Sequence, residues 1–343
     1  ARLLLATALA TRQSSALRLV ARTAAPLATA SSARHGEVTV IPGLSAVADW
    51  YDAILLDQFG VLHNGAEALP GAVDCYDRLS AAGVQMAVLS NTSRRRAHAL
   101  SKLPTLGFDA AKLADFVCSG EQAREHLASR AGQRMLWIGW DEQFQAWDPH
   151  YLDGLDLRLA DAATADFVFL QGSQTLRDGS RATPTEVMRT GAPNDALADA
   201  LRTCAARGLP MVCANPDLSV TLPDGSSGHM PGVVARAYEA LGGSVLYYGK
   251  PHPAAFEAAL ASLGVPPSRV LHVGDSLLHD VAGAHAAGVD SLFVAGGIHA
   301  EALGVVPDGG GGGASPLREA ALEALFDDFG VWPTMSAPAF VWQ

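Results

Sequence analysis

Residues 53–62 read Ala-Ile-Leu-Leu-Asp-Gln-Phe-Gly-Val-Leu, an apolar run that ends at Asp57 and breaks at Gly60. A continuous apolar run is typical of a strand buried on both faces of a parallel sheet, whereas a half-exposed strand alternates. The residue that follows such a strand lies at the carboxyl edge of the sheet, where open α/β sheets bind their ligands. The pattern therefore predicts that Asp57 lies at a ligand-binding edge.

Further apolar segments of strand length recur along the chain, with helical patterns between them. They predict strands at 84–89, 116–118, 134–139, 165–170, 211–214, 245–248, 270–273 and 291–294. Alternation of strand and helix is typical of an α/β fold with a mostly parallel, doubly wound sheet. We therefore expect a Rossmann-like core of this kind.

The interval between Ser90 and Lys250 is far longer than a single βαβ crossover, which takes roughly 30 or more residues. We therefore expect an inserted α/β cap domain at 132–222. The core would be divided between 45–131 and 223–305. A Gly-rich linker, a helix and a tail would occupy 306–343.

The amino-acid composition argues against some classes of function. Hydrophobic residues make up 49% and charged residues 17%, which is typical of a chain with a large core, and the net charge of −11 argues against a nucleic-acid binder. No run of about 18 apolar residues predicts a membrane span. The four cysteines are far apart and form no CxxC pair, so we interpret them as reduced thiols.

Residues 1–36 differ in composition from the rest. They contain five arginines, many Ala, Leu, Ser and Thr residues, and no acidic residue. This composition is typical of an organelle transit peptide, although an ordinary N-terminal helix is the alternative. We expect a mitochondrial matrix protein, with the chloroplast stroma as the alternative location.

Polar groups follow four of the predicted strands: Asp57, Ser90 with Asn91, Lys250, and Asp275 with Asp280. If the strands before Asp57 and Asp275 are neighbours, two carboxylates converge, and a divalent cation between them would offset their repulsion. Mg²⁺ typically takes one or two carboxylates together with substrate phosphate. Lys250 and the Ser90 hydroxyl would then bind phosphate oxygens, and Asp280 would hold Lys250 or a metal-bound water.

At these residues the sequence resembles the haloacid dehalogenase superfamily. The four motifs of that superfamily correspond to 55–62 (Leu-Leu-Asp-Gln-Phe-Gly-Val-Leu), 88–91 (Val-Leu-Ser-Asn), 249–253 (Gly-Lys-Pro-His-Pro) and 274–280 (Gly-Asp-Ser-Leu-Leu-His-Asp). Their order, spacing and strand context agree, and the resemblance covers about 48–300. The insertion between the second and third motifs is similar to that of the class IIA branch. The run at 57–65 (Asp-Gln-Phe-Gly-Val-Leu-His-Asn-Gly) and the ending at 296–299 (Gly-Gly-Ile-His) resemble a subfamily of that branch in alphaproteobacteria and plants.

The resemblance implies a role for each motif residue. Asp57 would be the nucleophile, with Ser90 and Lys250 as catalytic partners. Mg²⁺ would be bound by the side chains of Asp57 and Asp275 and by the backbone carbonyl of Phe59. Three residues would contact phosphate or support the site: Asn91, Gly274 and Asp280. Asn215 and Asp217 would contact the substrate or form an Asx turn.

Phe59 departs from the pattern of the superfamily. Its phosphatases usually have a second Asp at this position, which protonates the leaving alkoxide and later activates water. General acid–base help of this kind is worth about 10²–10⁴-fold in rate, so its loss affects alkyl phosphates most. His63 is a candidate replacement acid, although a lone His near a site is more often a bystander.

Our first hypothesis is a Mg²⁺-dependent phosphatase that hydrolyses a small phosphorylated metabolite through an aspartyl-phosphate intermediate. The main alternative is a catalytically impaired structural or regulatory subunit of an organellar complex, with Phe59 as the sign of lost activity. Dehalogenase chemistry on carbon is a third hypothesis. A homodimer and a place in a larger organellar assembly are both compatible with the sequence.

Overall fold

The computed structural model of the protein describes residues 38–145, 148, 150–222, 226–305 and 317–343. The predicted transit peptide at 1–36 and the Gly-rich segment at 309–313 lie outside the described residues. Two parallel-rich sheets organise the described chain. No helix within it combines the length and apolar character that crossing a bilayer requires.

The first sheet has six strands, and every neighbouring pair within it is parallel. The strands are β1 (Ala53–Leu56), β2 (Gln85–Ser90), β3 (Leu113–Cys118), β13 (Val270–Gly274), β14 (Asp290–Val294) and β15 (Met335–Ala337). Their order across the sheet is β15-β14-β13-β1-β2-β3. This confirms the predicted doubly wound α/β core with β1 near its centre.

Helices cover both faces of this sheet. They are α1 (Ala72–Ala81), α2 (Arg96–Lys102), α3 (Ser119–Ala128), α8 (Pro253–Leu263), α9 (Ala282–Ala286), α10 (Ala300–Leu303) and α11 (Glu319–Phe329). On one face, Ile54 and Leu56 of β1 join the cluster that contains Leu79 of α1. On the other, Leu55 joins the cluster that contains Phe256 of α8. Because both faces are buried, the strand has no polar alternation.

The second sheet has seven strands and belongs to the inserted cap domain. The strands are β4 (Arg134–Gly139), β5 (Arg158–Leu159), β6 (Phe167–Leu170), β7 (Thr175–Asp178), β8 (Arg181–Pro184), β9 (Pro210–Cys213) and β12 (Ser244–Tyr247). Their order is β12-β9-β6-β4-β7-β8, with β5 beside β4. Shorter elements complete the domain: α4 (Glu142–Gln145), α5 (Val187–Thr190), α6 (Asp195–Ala206), α7 (Pro231–Ala240) and the hairpin of β10 (Ser219–Thr221) with β11 (Ser227–His229).

The predicted boundary between cap and core at residue 222 is wrong. Strand β12 pairs in parallel with β9 of the second sheet. Helix α7 buries Val234 and Tyr238 in the cap cluster that contains Met211. The cap therefore continues through Tyr247. Sequence could not show this, because a short apolar strand has the same pattern whichever parallel sheet it joins.

The C-terminal segment also contributes more than a helix and a tail. Its helix α11 was expected, and Phe326 within it packs on Phe293 of β14 with ring centroids 5.5 Å apart. Its last strand, β15, was not expected. It pairs with β14, and Ser336 within it bridges to Val40. The two ends of the described chain therefore meet at one edge of the core sheet.

Candidate active site

The carboxyl edge of the first sheet brings Asp57 and Asp275 together. Strands β1 and β13 are parallel neighbours with Leu56 opposite Val273, and the Asp57 N–H donates to the Val273 carbonyl at 2.9 Å. The two strands therefore end side by side, and the Asp that follows each lies at the same edge. Strand β2, on the other side of β1, places Ser90 there as well.

Lys250 reaches this edge from the cap rather than from a strand of the core. It follows β12, which lies in the second sheet, so the expectation that this strand belongs to the core segment at 223–305 is wrong. The side chain is nevertheless buried, with 2% of the residue exposed. Its Nζ lies 2.6 Å from Asp57 Oδ1 and 2.7 Å from Asp280 Oδ1.

Asn91 holds the backbone of Lys250 in place. Its Oδ1 accepts from the Lys250 N–H at 2.7 Å, and its Nδ2 donates to the Lys250 carbonyl at 3.0 Å. Gly249 has φ 101°, and a Cβ there would lie 2.4 Å from Asn91 Oδ1, so the two-way contact needs glycine at this position. Asn91 thus couples the end of a core strand to the lysine that the cap delivers.

Asp280 is the fixed anion of the site. Its Oδ1 accepts from Lys250 Nζ and lies 2.8 Å from His272 Nε2, while its Oδ2 accepts from the Ser276 N–H at 3.0 Å. A Cβ at Gly274 would lie 2.1 Å from Asp280 Cγ. Gly274 therefore provides the space that Asp280 occupies.

Two glycines enclose the carboxylate of Asp275. A Cβ at Gly60 would lie 1.9 Å from Asp275 Oδ2, and one at Gly297 would lie 2.1 Å from the same oxygen. That oxygen also accepts from the Ile298 N–H at 2.7 Å. The sequence does not mark Gly60, Gly297 or Ile298 as site residues, because their role arises only from the close approach of loops distant in sequence.

The pKa values of the three carboxylates are shifted in different directions. Burial raises the pKa of Asp57 to about 6, although Lys250 opposes the shift. Burial and the neighbouring charges of Asp57 and Asp280 raise the pKa of Asp275 well above its usual value. For Asp280, burial is outweighed by Lys250 and His272, which lower its pKa. For Lys250, burial is outweighed by Asp280 and Asp57, which raise its pKa.

This arrangement could hold a cation. One carboxylate oxygen from each of Asp57, Asp275 and Asp280 lies within 4.8 Å of the others. Burial raises the pKa of both Asp57 and Asp275, and nearby carboxylates add to each shift; a divalent cation would favour the charged form of both groups. Asp280 already accepts from Lys250, His272 and Ser276. Asp57 and Asp275 are therefore the better candidates for ligands.

Comparison with known proteins agrees with this geometry. Residues 54–148 match the haloacid dehalogenase-like hydrolase family, and residues 247–308 match the HAD-hydrolase-like family. A crystal structure of a haloacid dehalogenase-like hydrolase from Brucella suis 1330 is 30% identical, with a TM-score of 0.67, and the match covers 88% of this chain and 100% of that one. The chain belongs to the haloacid dehalogenase-like hydrolases.

Two further relatives are chronophin and a glycerol phosphate phosphatase. Chronophin from Homo sapiens is 28% identical over 255 residues, which are 71% of this chain and 81% of chronophin. The structure of a glycerol phosphate phosphatase from Mycobacterium tuberculosis, in complex with calcium, is 25% identical with a TM-score of 0.50. That match covers 74% of this chain and 68% of the other. The protein is thus a hydrolase related to phosphatases.

Phe59, which stands where phosphatases of the haloacid dehalogenase superfamily usually have an Asp, lies on the surface of the site. The residue is 42% exposed, and its ring packs edge-on against His63 with centroids 4.7 Å apart. A Cβ at Gly65 would lie 2.8 Å from the Phe59 ring. The ring therefore closes a short flap that runs from Gln58 to Ala68, and it does not fill the buried core.

His63 is poorly suited to replace the missing acid. It is buried, and its Nδ1 accepts from the Gly65 N–H at 3.1 Å. Burial first, and then Lys102 and Arg94, lower its pKa to about 4. At neutral pH such a ring is uncharged, so it cannot act as a cationic acid. Its visible role is to support the flap.

Asn215 and Asp217 form the Asx turn that was one of the two roles expected for them. The Asp217 N–H donates to Asn215 Oδ1 at 2.9 Å, which is an Asx turn. The Asp217 carboxylate accepts from Asn91 Nδ2 at 2.7 Å and lies 3.5 Å from His279 Nδ1. The turn therefore brings Asp217 against the site, whereas Asn215 supports the turn.

The cap contacts the loop that follows the phosphate-binding candidates. Trp140 Nε1 donates to Ser93 Oγ at 2.9 Å, and Gln171 Nε2 donates to the Ser93 carbonyl at 3.2 Å. Ser93 lies three residues after Ser90, whose Oγ accepts from the Thr92 N–H at 3.3 Å. Two strands of the cap sheet thus lead into contacts at the edge of the site.

Proposed function

We propose that the protein is a Mg²⁺-dependent phosphatase that hydrolyses a small phosphorylated metabolite through an aspartyl-phosphate intermediate. The observation that carries the proposal is the buried contact between Lys250 Nζ and Asp57 Oδ1, 2.6 Å long, beside the carboxylate of Asp275. It combines a nucleophile, a cation for phosphate oxygens and a place for a metal at one sheet edge. The phosphatase relatives support the same reaction class.

The metal would be held by the side chains of Asp57 and Asp275 and by the Phe59 carbonyl. The crowded carboxylates of Asp57 and Asp275 fit a small, hard cation with oxygen ligands. When bound, such an ion offsets the charge of the carboxylates and of the phosphoryl oxygens. Calcium in the glycerol phosphate phosphatase structure supports a divalent cation in this family.

The residues of the chain perform the two halves of the reaction. In the first, an oxygen of Asp57 attacks phosphorus, a new O–P bond forms, and the bond to the leaving alcohol breaks. In the second, water attacks the same phosphorus, releases phosphate and restores the Asp57 carboxylate. Lys250 offsets negative charge on the phosphoryl oxygens in both halves, with Ser90 as a further donor.

The exposed ring of Phe59 limits which substrates react fast. It has no proton to give, so the leaving group must depart as an anion or take its proton from water. Aryl and acyl phosphates have leaving groups that need no such help, whereas alkyl phosphates do. We therefore propose an aryl or acyl phosphate in preference to a simple alkyl ester.

A phosphate-release screen tests this proposal. The panel would contain alkyl, aryl and acyl phosphates, each assayed with Mg²⁺ and with a chelator. We expect Mg²⁺-dependent release that Asp57→Asn abolishes on every substrate. If wild-type protein with Mg²⁺ releases phosphate from none of the three classes, the proposed reaction is wrong and a structural or regulatory role becomes the better hypothesis.

We also propose that residues 1–36 direct the protein to the mitochondrion. The proposal rests on their five arginines and their lack of acidic residues. A fusion of this segment to a fluorescent protein should enter the organelle, and replacement of its arginines by Gln should prevent entry. A fusion that stays in the cytosol would contradict the proposal.

A further inference from the structure

His272 is a buried polar residue in an otherwise apolar strand. It lies in β13 between Leu271 and Val273, opposite Leu55 in the neighbouring strand, and it has no exposed surface. Its ring packs edge-on against Phe256 with centroids 5.2 Å apart. A buried imidazole in the centre of a sheet is unfavourable unless its nitrogens are hydrogen-bonded, so the contacts of His272 need an explanation.

The two ring nitrogens of His272 have different environments. Nε2 lies 2.8 Å from Asp280 Oδ1, whereas Nδ1 has no hydrogen-bond partner among the residues that the structure describes. An ionised carboxylate only accepts hydrogen bonds, so Nε2 must carry the proton that this contact needs. No acceptor among the described residues faces Nδ1, so that nitrogen is left bare, and the hydrogen bond from Nε2 to Asp280 orients the ring.

Asp280 in turn orients Lys250. Its carboxylate is held at both oxygens, because Ser276 N–H donates to Oδ2 at 3.0 Å and His272 donates to Oδ1. Lys250 Nζ donates to that same Oδ1 at 2.7 Å and to Asp57 at 2.6 Å. Two of the three ammonium hydrogens are used in this way, and one remains for a phosphate oxygen.

We propose that His272 is a positioning residue that fixes Lys250 through Asp280. The inference rests on the function proposed above. When Asp57 forms its bond to phosphorus, it loses the full negative charge that attracts Lys250. From that point Asp280 is the carboxylate that keeps the ammonium in place, and His272 keeps Asp280 from rotating. The contribution of His272 therefore falls on the chemical step more than on substrate binding.

Two substitutions separate the hydrogen bond from the packing. His272→Phe keeps a ring against Phe256 but removes the donor, whereas His272→Gln can place an amide N–H near the position of Nε2. We expect His272→Phe to lower kcat by about 10–100-fold, the usual effect of removing an outer hydrogen-bond partner at such a site. KM should change by no more than about twofold, because binding precedes the loss of charge on Asp57.

Rescue by glutamine and a packing control complete the kinetic test. His272→Gln should recover most of the lost kcat. Phe256→Leu, which alters the packing around the ring but keeps the donor, should leave kcat within about twofold of wild type. Wild-type kcat in His272→Phe, or equal losses in the Phe, Gln and Phe256→Leu variants, would overturn the inference.

A spectroscopic measurement remains informative if the proposed reaction fails. In ¹⁵N-labelled protein, His272 should show a protonated Nε2 and a bare Nδ1. The Lys250 ammonium should be protected from exchange with water, and His272→Phe should speed that exchange while His272→Gln should not. A proton on Nδ1 with a bare Nε2, or unchanged ammonium exchange in His272→Phe, would refute the positioning role. Inactivity of wild-type protein alone would refute only the proposed reaction.

Discussion

Lys250 and Asp57 lie 2.6 Å apart although they follow strands of two different sheets. Asp57 directly follows β1 of the core, and Lys250 lies three residues after the end of β12 in the cap. The contact therefore depends on the docking of one domain against the other, and Asn91 reinforces it by binding the Lys250 backbone in both directions. The site is assembled only when cap and core are joined.

Removal of the Lys250 charge should destabilise the protein in a pH-dependent manner. Lys250→Met leaves Asp280 buried without its ammonium partner, and breaking a buried pair in this way typically costs about 3–5 kcal/mol in the free energy of unfolding. In the wild type, burial is outweighed by Lys250 and His272, which lower the pKa of Asp280. In Lys250→Met the pKa of Asp280 in the folded protein should rise above its value in the unfolded chain. As pH falls, the folded protein therefore takes up this proton before the unfolded chain does.

The raised pKa of Asp280 in the folded variant determines how its stability changes with pH. The loss of stability in Lys250→Met should be largest near pH 7 and should shrink as pH falls towards 5, because the buried carboxylate is then neutralised. Urea unfolding of both proteins with a chelator present would measure it. Lys112→Met removes an exposed partner of Asp77 and should show little effect at either pH. A deficit in Lys250→Met that is constant with pH would contradict the explanation.

Asp275 should dominate the affinity for Mg²⁺. Asp275→Asn replaces a crowded carboxylate with a neutral amide of similar shape, so we expect Mg²⁺ binding to weaken by at least about tenfold. Calorimetric titration with Mg²⁺ would measure the change. Asp217→Asn is the matched control, since Asp217 is a half-buried carboxylate near Lys250 that lies outside the cluster of three. Equal affinity in wild type and Asp275→Asn would remove Asp275 from the ligands.

Gly297 should be intolerant of even a methyl group. In Gly297→Ala the new Cβ would lie 2.1 Å from Asp275 Oδ2, so the carboxylate must move. We expect Mg²⁺ affinity to fall by about as much as in Asp275→Asn. Gly228→Ala is the control, because its Cβ would meet its nearest neighbour at an ordinary 3.5 Å. Retention of full Mg²⁺ affinity in Gly297→Ala would show that the loop yields instead of the carboxylate.

The contact between Trp140 and Ser93 should couple cap to core. Trp140→Phe and Ser93→Ala each remove the 2.9 Å hydrogen bond, and the double variant measures what the pair contributes together. We expect a coupling energy of about 1 kcal/mol, the net value of a typical hydrogen bond. Chemical denaturation of the four proteins completes the cycle. Strictly additive effects would mean that the bond contributes nothing to stability.

The sequence predicts the central sheet and its acidic edge well, because Asp57 and Asp275 each follow a continuous apolar strand. It fails for Lys250 in one respect: the strand before it is equally apolar, and nothing in its pattern says which of two sheets it joins. It also misses Gly60 and Gly297, whose closeness to Asp275 is a property of folded loops. His272 is visible in the sequence as a lone polar residue within an apolar strand, but the spacing of residues does not predict that its partner is Asp280.

The position of Phe59 makes restoration of an acid feasible. The ring is 42% exposed and rests on the flap residue His63, so Phe59→Asp opens no buried cavity and should cost little stability. The new carboxylate would stand two residues after Asp57 and could protonate a leaving alkoxide. We expect hydrolysis of an alkyl phosphate to rise by part of the missing ~10²–10⁴-fold, with a much smaller change on an aryl phosphate.

Steady-state rates on matched alkyl and aryl phosphates, with Mg²⁺ present, would measure this difference in selectivity. Phe59→Asn is the control, because it removes the same ring and has a similar shape but provides no acid; it should not raise the alkyl rate. The rate gained by Phe59→Asp should depend on pH, since only the protonated carboxyl can donate. Equal gains in the Asp and Asn variants would show that the Phe59 ring obstructs substrate and that the lack of an acid is not what limits hydrolysis.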